Sequence, residues 1–235
     1  MAATWHAAAE TLVRDLDGIF QRRLRSVVAY GPCLEGLDDQ PLTCLALVDS
    51  LEIGDLEQCA ALTGHWTKRR IATPLMLPAR EFARSLDAFP LEYGEIVHGH
   101  QLVHGLDPFA EVTISREDLR RACETEAKGH LLHLREGFIE SGGKPHAVGD
   151  LVAASAPAFA ALLRNVARLT GAAAGDRGTA TLDGARAAGV SEQVVLDILA
   201  LERNARVPTA DAARLFPENL AAVEQLAARV DQWRT

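Results

Sequence analysis

A chain of 235 residues, 48% hydrophobic and 24% charged, has the make-up of a globular protein and enough length for one large domain or two small ones. With 24 Lys and Arg against 32 Asp and Glu, the net charge is −8, so no overall field draws the chain to DNA, RNA or anionic lipid. Nucleic acid is therefore not an expected partner, since binding it would need a local basic patch.

The N-terminal stretch MAATWHAAAETLVRDLDGIF carries acids and lacks a basic start followed by an apolar block, so no secretory leader is expected. Thr4 is placed to cap a first helix running to about Arg23, with Leu12, Leu16, Ile19 and Phe20 on one face. The basic cluster Arg22, Arg23 and Arg25 closes it. This cluster is either a solvated helix end favoured by the helix dipole or a phosphate-binding patch, the first being preferred.

Next comes VVAYGPCLEG, residues 27–36. A β-branched strand (27–30) breaks at Gly31-Pro32 and reaches Gly36, a backbone shape suited to cradling a phosphate. A second strand, LTCLALV (42–48), follows directly. The chain then predicts a helix over 55–70 with Leu56, Cys59, Leu62 and Trp66 inward and Asp55 near its cap. Its last turn holds Lys68, Arg69 and Arg70. After it come a short strand at 73–77, a helix over 79–85 opened by Pro78, and FPLEYGEIV (89–97), which reads as a strand. Strands alternating with helices predict a layered αβ sheet.

Beyond Pro108 only helices are predicted. Ser115 with Asp118 forms a capping signal for a helix striped with Leu119, Ala122, Cys123, Leu131, Leu134 and Phe138, which stops at Gly142-Gly143. Further helices are expected over about 150–170, 182–188, 191–204 and 218–233, with breaks at 171–178, Pro208 and Pro217. The expected domains are 1–112 and a helical bundle, 113–235.

Cys33, Cys44, Cys59 and Cys123 form no C-x-x-C pair and read as reduced, mostly buried thiols of a cytoplasmic protein without structural zinc. No apolar run is expected to approach a membrane span of about 20 residues.

The order of these parts resembles the nucleotidyltransferase superfamily, in particular bacterial proteins that pair a small nucleotidyltransferase domain with a C-terminal helical domain. The resemblance covers roughly residues 27–109. It implies an α/β (α+β) mixed sheet with flanking helices, followed by an all-α bundle. In that family a strand ends in Gly-Ser, a loop carries a further Gly, the next strand bears Asp-x-Asp, and a third carboxylate lies on a later strand. The turn holds nucleotide phosphate and the carboxylates bind divalent metal, which together transfer a nucleotidyl group. On this chain Gly31 matches the first glycine, Pro32 replaces the serine and Gly36 matches the later glycine. Leu42 and Cys44 occupy the two aspartate positions, Glu92 falls near the third carboxylate, and HGHQLVHG (98–105) resembles the family's closing segment.

Each departure has a chemical consequence. Proline offers neither a backbone N–H nor a hydroxyl to a phosphate, leucine cannot bind metal, and a thiol suits Mg²⁺ poorly. The implied reading is a retained fold with a degraded site, acting by binding a nucleotide through Gly31, Pro32 and Gly36, a protein partner, or a second copy of itself. No cofactor is expected on that reading. The alternative is an active, Mg²⁺-dependent enzyme moving a nucleoside monophosphate from an NTP to an acceptor. Glu92 and a displaced Asp38 or Asp39 would then be its catalytic metal ligands. Asp38 and Asp39 are adjacent and would point to opposite faces, while Asp49 and Glu95 have the wrong strand parity. A third reading is a structural or oligomerisation module built on the helical half.

Other constellations compete. His98, His100 and His104 give H-x-H-x3-H, with the first two on one strand face, but no cysteine completes a tetrahedral zinc set. Glu126, His130 and His133 share a helix face that would need a matching second helix to bind metal. Helical domains associated with small nucleotidyltransferases are often ribonucleases whose motif pairs Arg with a downstream His. No histidine follows His146, so that chemistry is not expected. No G-x-S-x-G, H-E-x-x-H or Walker motif occurs, since Leu37-Asp38 stands where Lys-Ser/Thr would be.

Overall fold

The computed structural model describes residues 4–35, 40–172, 175–203 and 209–233. The chain divides into two compact units, Met1–Ile114 and Ser115–Thr235.

In the first unit α1 (Thr4–Phe20) buries Leu12, Leu16 and Phe20, four residues apart on one stripe. A 3-10 turn (Gln21–Arg23) leads into β1 (Leu24–Tyr30), and another (Pro32–Glu35) follows it. Then come β2 (Thr43–Val48), α2 (Ile53–Lys68), β3 (Leu75–Pro78), α3 (Ala79–Ser85), α4 (Pro90–His98) and β4 (His100–Gly105). The four-stranded sheet has the order β3-β2-β1-β4, with β1 antiparallel to β2 and β4 and β2 parallel to β3. The two central strands are the β-branched and apolar runs, as strands covered on both faces must be.

Period-two alternation sorts their side chains into two cores. Val27 and Ala29 of β1, with Cys44, Ala46 and Val48 of β2, pack beneath α1 and α2 against Leu16, Phe20, Cys59 and Trp66. Val28, Leu45 and Leu47 face the other way, against Phe82 of α3, Tyr93 and Ile96 of α4, and Phe109. Gly105 closes β4 at φ +77°, where a Cβ would lie 1.9 Å from the Arg25 carbonyl oxygen, so only glycine allows this pairing with β1.

Two expectations fail here. FPLEYGEIV is not a strand: Pro90 begins α4, its missing N–H harmless in a first turn, and Tyr93 and Ile96 are buried three residues apart. Leu56, expected inward on α2, is 42% exposed.

The second unit comprises α5 (Arg116–Glu140), α6 (Pro145–Leu169), α7 (Arg177–Ala188), α8 (Glu192–Arg203), α9 (Thr209–Arg214) and α10 (Phe216–Gln232). Ser115 caps α5 by accepting from the Asp118 N–H, and Gly142 and Gly143 follow its end at positive φ. Proline at a first turn again marks helix starts where the sequence predicts a later start or a break: Pro145 in α6 and Pro217 in α10. The expected break at Pro208 lies outside the described residues.

Helix α6 packs against α5, α7, α8, α9 and α10. It is long and apolar enough to cross a membrane, contrary to the expectation that no run approached that length. Its hydropathy is that of a central core helix, with Val152, Phe159, Leu163 and Val166 all buried in the bundle. On α7, Gly184 approaches α6 so closely that a Cβ would lie 1.8 Å from the Leu163 carbonyl oxygen.

Candidate functional site

Gly31 ends β1 with φ +90°, a left-handed conformation that turns the chain into the 3-10 segment begun by Pro32, and its carbonyl accepts from the Leu34 N–H at 3.1 Å. Pro32 contributes no donor to this turn. Gly36, Asp38 and Asp39 lie outside the described residues.

Leu42 and Cys44 belong to the core beneath α1 and α2, at 2% and 0% exposure. Glu92 is exposed in the first turn of α4, the helix whose Tyr93 and Ile96 cover the opposite face of the sheet. The sheet therefore separates positions 42 and 44 from Glu92. Burial also pushes the Cys44 thiol up to about 12, and its neighbour Cys33 adds to the shift, so Cys44 stays protonated at neutral pH. An apolar side chain and a protonated thiol do not fit Mg²⁺, which wants several hard oxygen ligands. Parity reasoning for Glu95 falls with the strand it assumed. Asp49, just beyond β2, pairs with Arg25.

A hollow of about 330 Å³ lies beside the turn on the α1/α2 side, walled by Trp5, Cys33, Leu42, Lys68, Arg69 and Arg70. Three exposed cations at the end of α2 and an indole give it the chemistry to take an anionic group with an aromatic neighbour. In the sequence those cations are accounted for by the helix dipole alone. Their other signal was the left-handed Arg70, at φ +59°, which no residue pattern announces.

The cluster Arg22, Arg23 and Arg25 is not a shared phosphate patch. Arg23 donates two 2.7 Å hydrogen bonds to Asp55, and Arg25 donates to Asp49. Asp55 also accepts from the Glu52 N–H at 3.0 Å, capping α2 from its third position.

The histidines are dispersed. His98 ends α4 and bonds the Gly94 carbonyl, whereas His100 begins β4, where it contacts the Ile96 carbonyl and the Asp107 carboxylate at 2.9 and 3.1 Å. They do not share a strand face. On α5, His130 is buried while His133 is exposed and pairs with Glu136. Among the described residues no three His, Cys, Asp or Glu side chains group closely enough to hold a metal ion.

No protein-family model matches the chain, and no curated protein is similar to it in sequence. Among solved structures it is similar to spectinomycin adenyltransferase AAD(9) from Enterococcus faecialis, in a crystal structure with ATP and spectinomycin. The two share 11% identity at a TM-score of 0.58, over 96% of this chain and 98% of that one. At that identity the likeness is one of fold: this chain has a nucleotidyltransferase-like mixed sheet with flanking helices, followed by a helical unit.

Proposed function

We propose that the protein uses a nucleotidyltransferase-like fold to bind a nucleotide without metal-dependent transfer. The observation that carries this reading is the burial of Leu42 and Cys44 on the face of the sheet turned away from Glu92. A two-metal transfer site needs its carboxylates converging on one point. Positions 42 and 44 are instead buried without a carboxylate, and Glu92 lies on a helix, not on the later strand the resemblance calls for. Nucleotide is the favoured ligand because the neighbouring structure holds ATP and because the hollow beside Gly31, Pro32 and Cys33 offers cations and an indole. In this reading phosphate is met by Lys68, Arg69 and Arg70 in place of the hydroxyl and N–H that Pro32 lacks.

The test is a melting-temperature series with ATP, with and without Mg²⁺, run beside a transfer assay using labelled ATP. The acceptors are the protein itself, RNA and spectinomycin. A ligand that binds only the folded state raises the melting temperature. The expected result is an increase with ATP that does not need Mg²⁺, and no labelled product. Mg²⁺-dependent labelling that disappears in Glu92→Ala, with the melting temperature unchanged, would instead support the active enzyme, whose second ligand is then sought at Asp38 or Asp39. If ATP leaves the melting temperature unmoved and labels nothing, the nucleotide reading is wrong and the helical unit becomes the place to look for a partner.

A further inference from the structure

In the helical unit, α5 and α6 leave between them a cleft of about 340 Å³, lined by Glu126, His130, His133, Leu134, Leu151 and Ser155. This is within the range of small-ligand sites, about 300–1,000 Å³. Its polar floor is unusual. His130 is only 8% exposed, its ring lies nearly parallel to Phe159 at 6.1 Å, and its Nε2 is buried with no hydrogen-bond partner. Buried ring nitrogens are nearly always paired, and leaving one unpaired costs about 1–3 kcal/mol. Ser155, across the cleft, is held from behind: it donates to the Val152 carbonyl at 2.9 Å and accepts from the Asn219 side chain at 3.3 Å. Its hydroxyl oxygen keeps one lone pair. Gly129, Ala154 and Ala158 keep the cleft open because they have little or no side chain to fill it.

We infer that this cleft binds a small apolar molecule bearing a hydroxyl group, its body against Leu134 and Leu151 and its hydroxyl on His130 Nε2, a nitrogen closed to solvent until a lining side chain moves aside. A hydroxyl both gives and accepts, so it satisfies either tautomer of a neutral imidazole. Burial, aided by the nearby His133, lowers the His130 pKa and keeps the ring neutral. A metal ion does not fit the cleft, because His133 turns to Glu136 and, among the described residues, no three ligating side chains converge. This inference does not depend on the nucleotide reading, which concerns the other unit.

The experiment is an NMR titration of the full chain with phenol, and with toluene as the same body without the hydroxyl. Phenol is expected to shift the ring signals of His130 and the amides of Leu151 and Ser155 saturably. His130→Leu should weaken phenol about fivefold, the worth of one net hydrogen bond, and leave toluene unweakened. Ala158→Phe, at an exposed position on the rim, should remove binding of both. Shifts that miss these residues, phenol affinity unchanged in His130→Leu, or binding that survives Ala158→Phe would each overturn the assignment. If His130→Leu does not fold, Ala158→Phe decides alone.

Discussion

Arg23 and Asp55 join two elements 32 residues apart through a pair of parallel 2.7 Å hydrogen bonds, guanidinium to carboxylate. Arg23 ends the turn before β1, Asp55 lies in the first turn of α2, and the Arg23 side chain also reaches the Ser50 carbonyl at 3.3 Å. Flat, forked pairing of this kind fixes orientation as well as distance. Here it ties the first turn of α2 to the residue that leads into β1.

That pair predicts an acid-sensitive component of stability. The Arg23 hydrogen bonds, assisted by the Glu52 N–H, hold the Asp55 carboxyl below its ordinary range. A depressed carboxylate pKa stabilises the fold fully above the unfolded value of about 4, and the contribution is lost as pH falls through the lower folded value. Urea midpoints measured from pH 6 down to pH 2 should therefore fall in the acid limb. In Asp55→Asn the curve should lie lower at pH 6 and be flatter below pH 4. An equally steep acid limb in the variant would mean that other carboxylates carry it.

The four cysteines make a second prediction. Cys33, Cys44, Cys59 and Cys123 are all buried, and burial raises each thiol pKa, to about 12 for Cys44 and Cys123. From an ordinary value of 9.0, a rise to about 12 leaves about a thousandfold less thiolate. A thiol reagent at pH 8 should label the native protein slowly and all four sites promptly in guanidinium. Fast native labelling at any one of them would place that cysteine at the surface.

Much of this architecture was readable because local rules and tertiary packing agree. The β-branched run before Gly31, the apolar run ending at Val48 and the Ser115 cap each produced the expected element. FPLEYGEIV misled because Phe89, Leu91 and Tyr93 alternate like a strand, whereas the decisive pair is Tyr93 and Ile96, at helical spacing behind Pro90. The site was harder still. Alternation shows that Leu42 and Cys44 share a face, but not whether α1 and α2 or α3 and α4 will cover it. That choice is made by contacts far apart in sequence, such as Phe20 and Trp66 closing over β2. The hollow bounded by Trp5 and Arg70 is likewise assembled from residues 65 positions apart.

Two glycines with opposite packing give a third prediction. In α7, a Cβ at Gly184 would meet the Leu163 backbone, which cannot yield without separating α7 from α6. In α2, a Cβ at Gly64 would meet nothing within 4 Å. Gly184→Ala should cost about 1–3 kcal/mol or more by overpacking. Gly64→Ala should gain about 0.8–1 kcal/mol of helix propensity. Denaturant midpoints of the two variants should move in opposite directions from the parent, and movement in the same direction would mean that the approach of α7 to α6 is looser than described.

The last prediction tests the face of the sheet on which the site question turns. If loss of carboxylates alone had silenced a metal centre, restoring one at Cys44 would begin to rebuild it. The packing predicts the opposite, because Cys44→Asp inserts a carboxylate at a position with no exposed surface, among Phe20, Cys59 and Trp66. An unpaired buried charge of that kind costs several kcal/mol or forces the acid to protonate. The neighbouring Thr43 has the other parity and is half-exposed beside Gly31, so Thr43→Asp should leave the fold intact. The expected outcome is a large drop in melting temperature for Cys44→Asp that Mg²⁺ does not reverse, against a small change for Thr43→Asp. A Cys44→Asp protein as stable as the parent and further stabilised by Mg²⁺ would show that position 44 reaches solvent and a metal. The reading of the fold as a binding platform would then give way to that of a transferase whose metal site has lost its ligands.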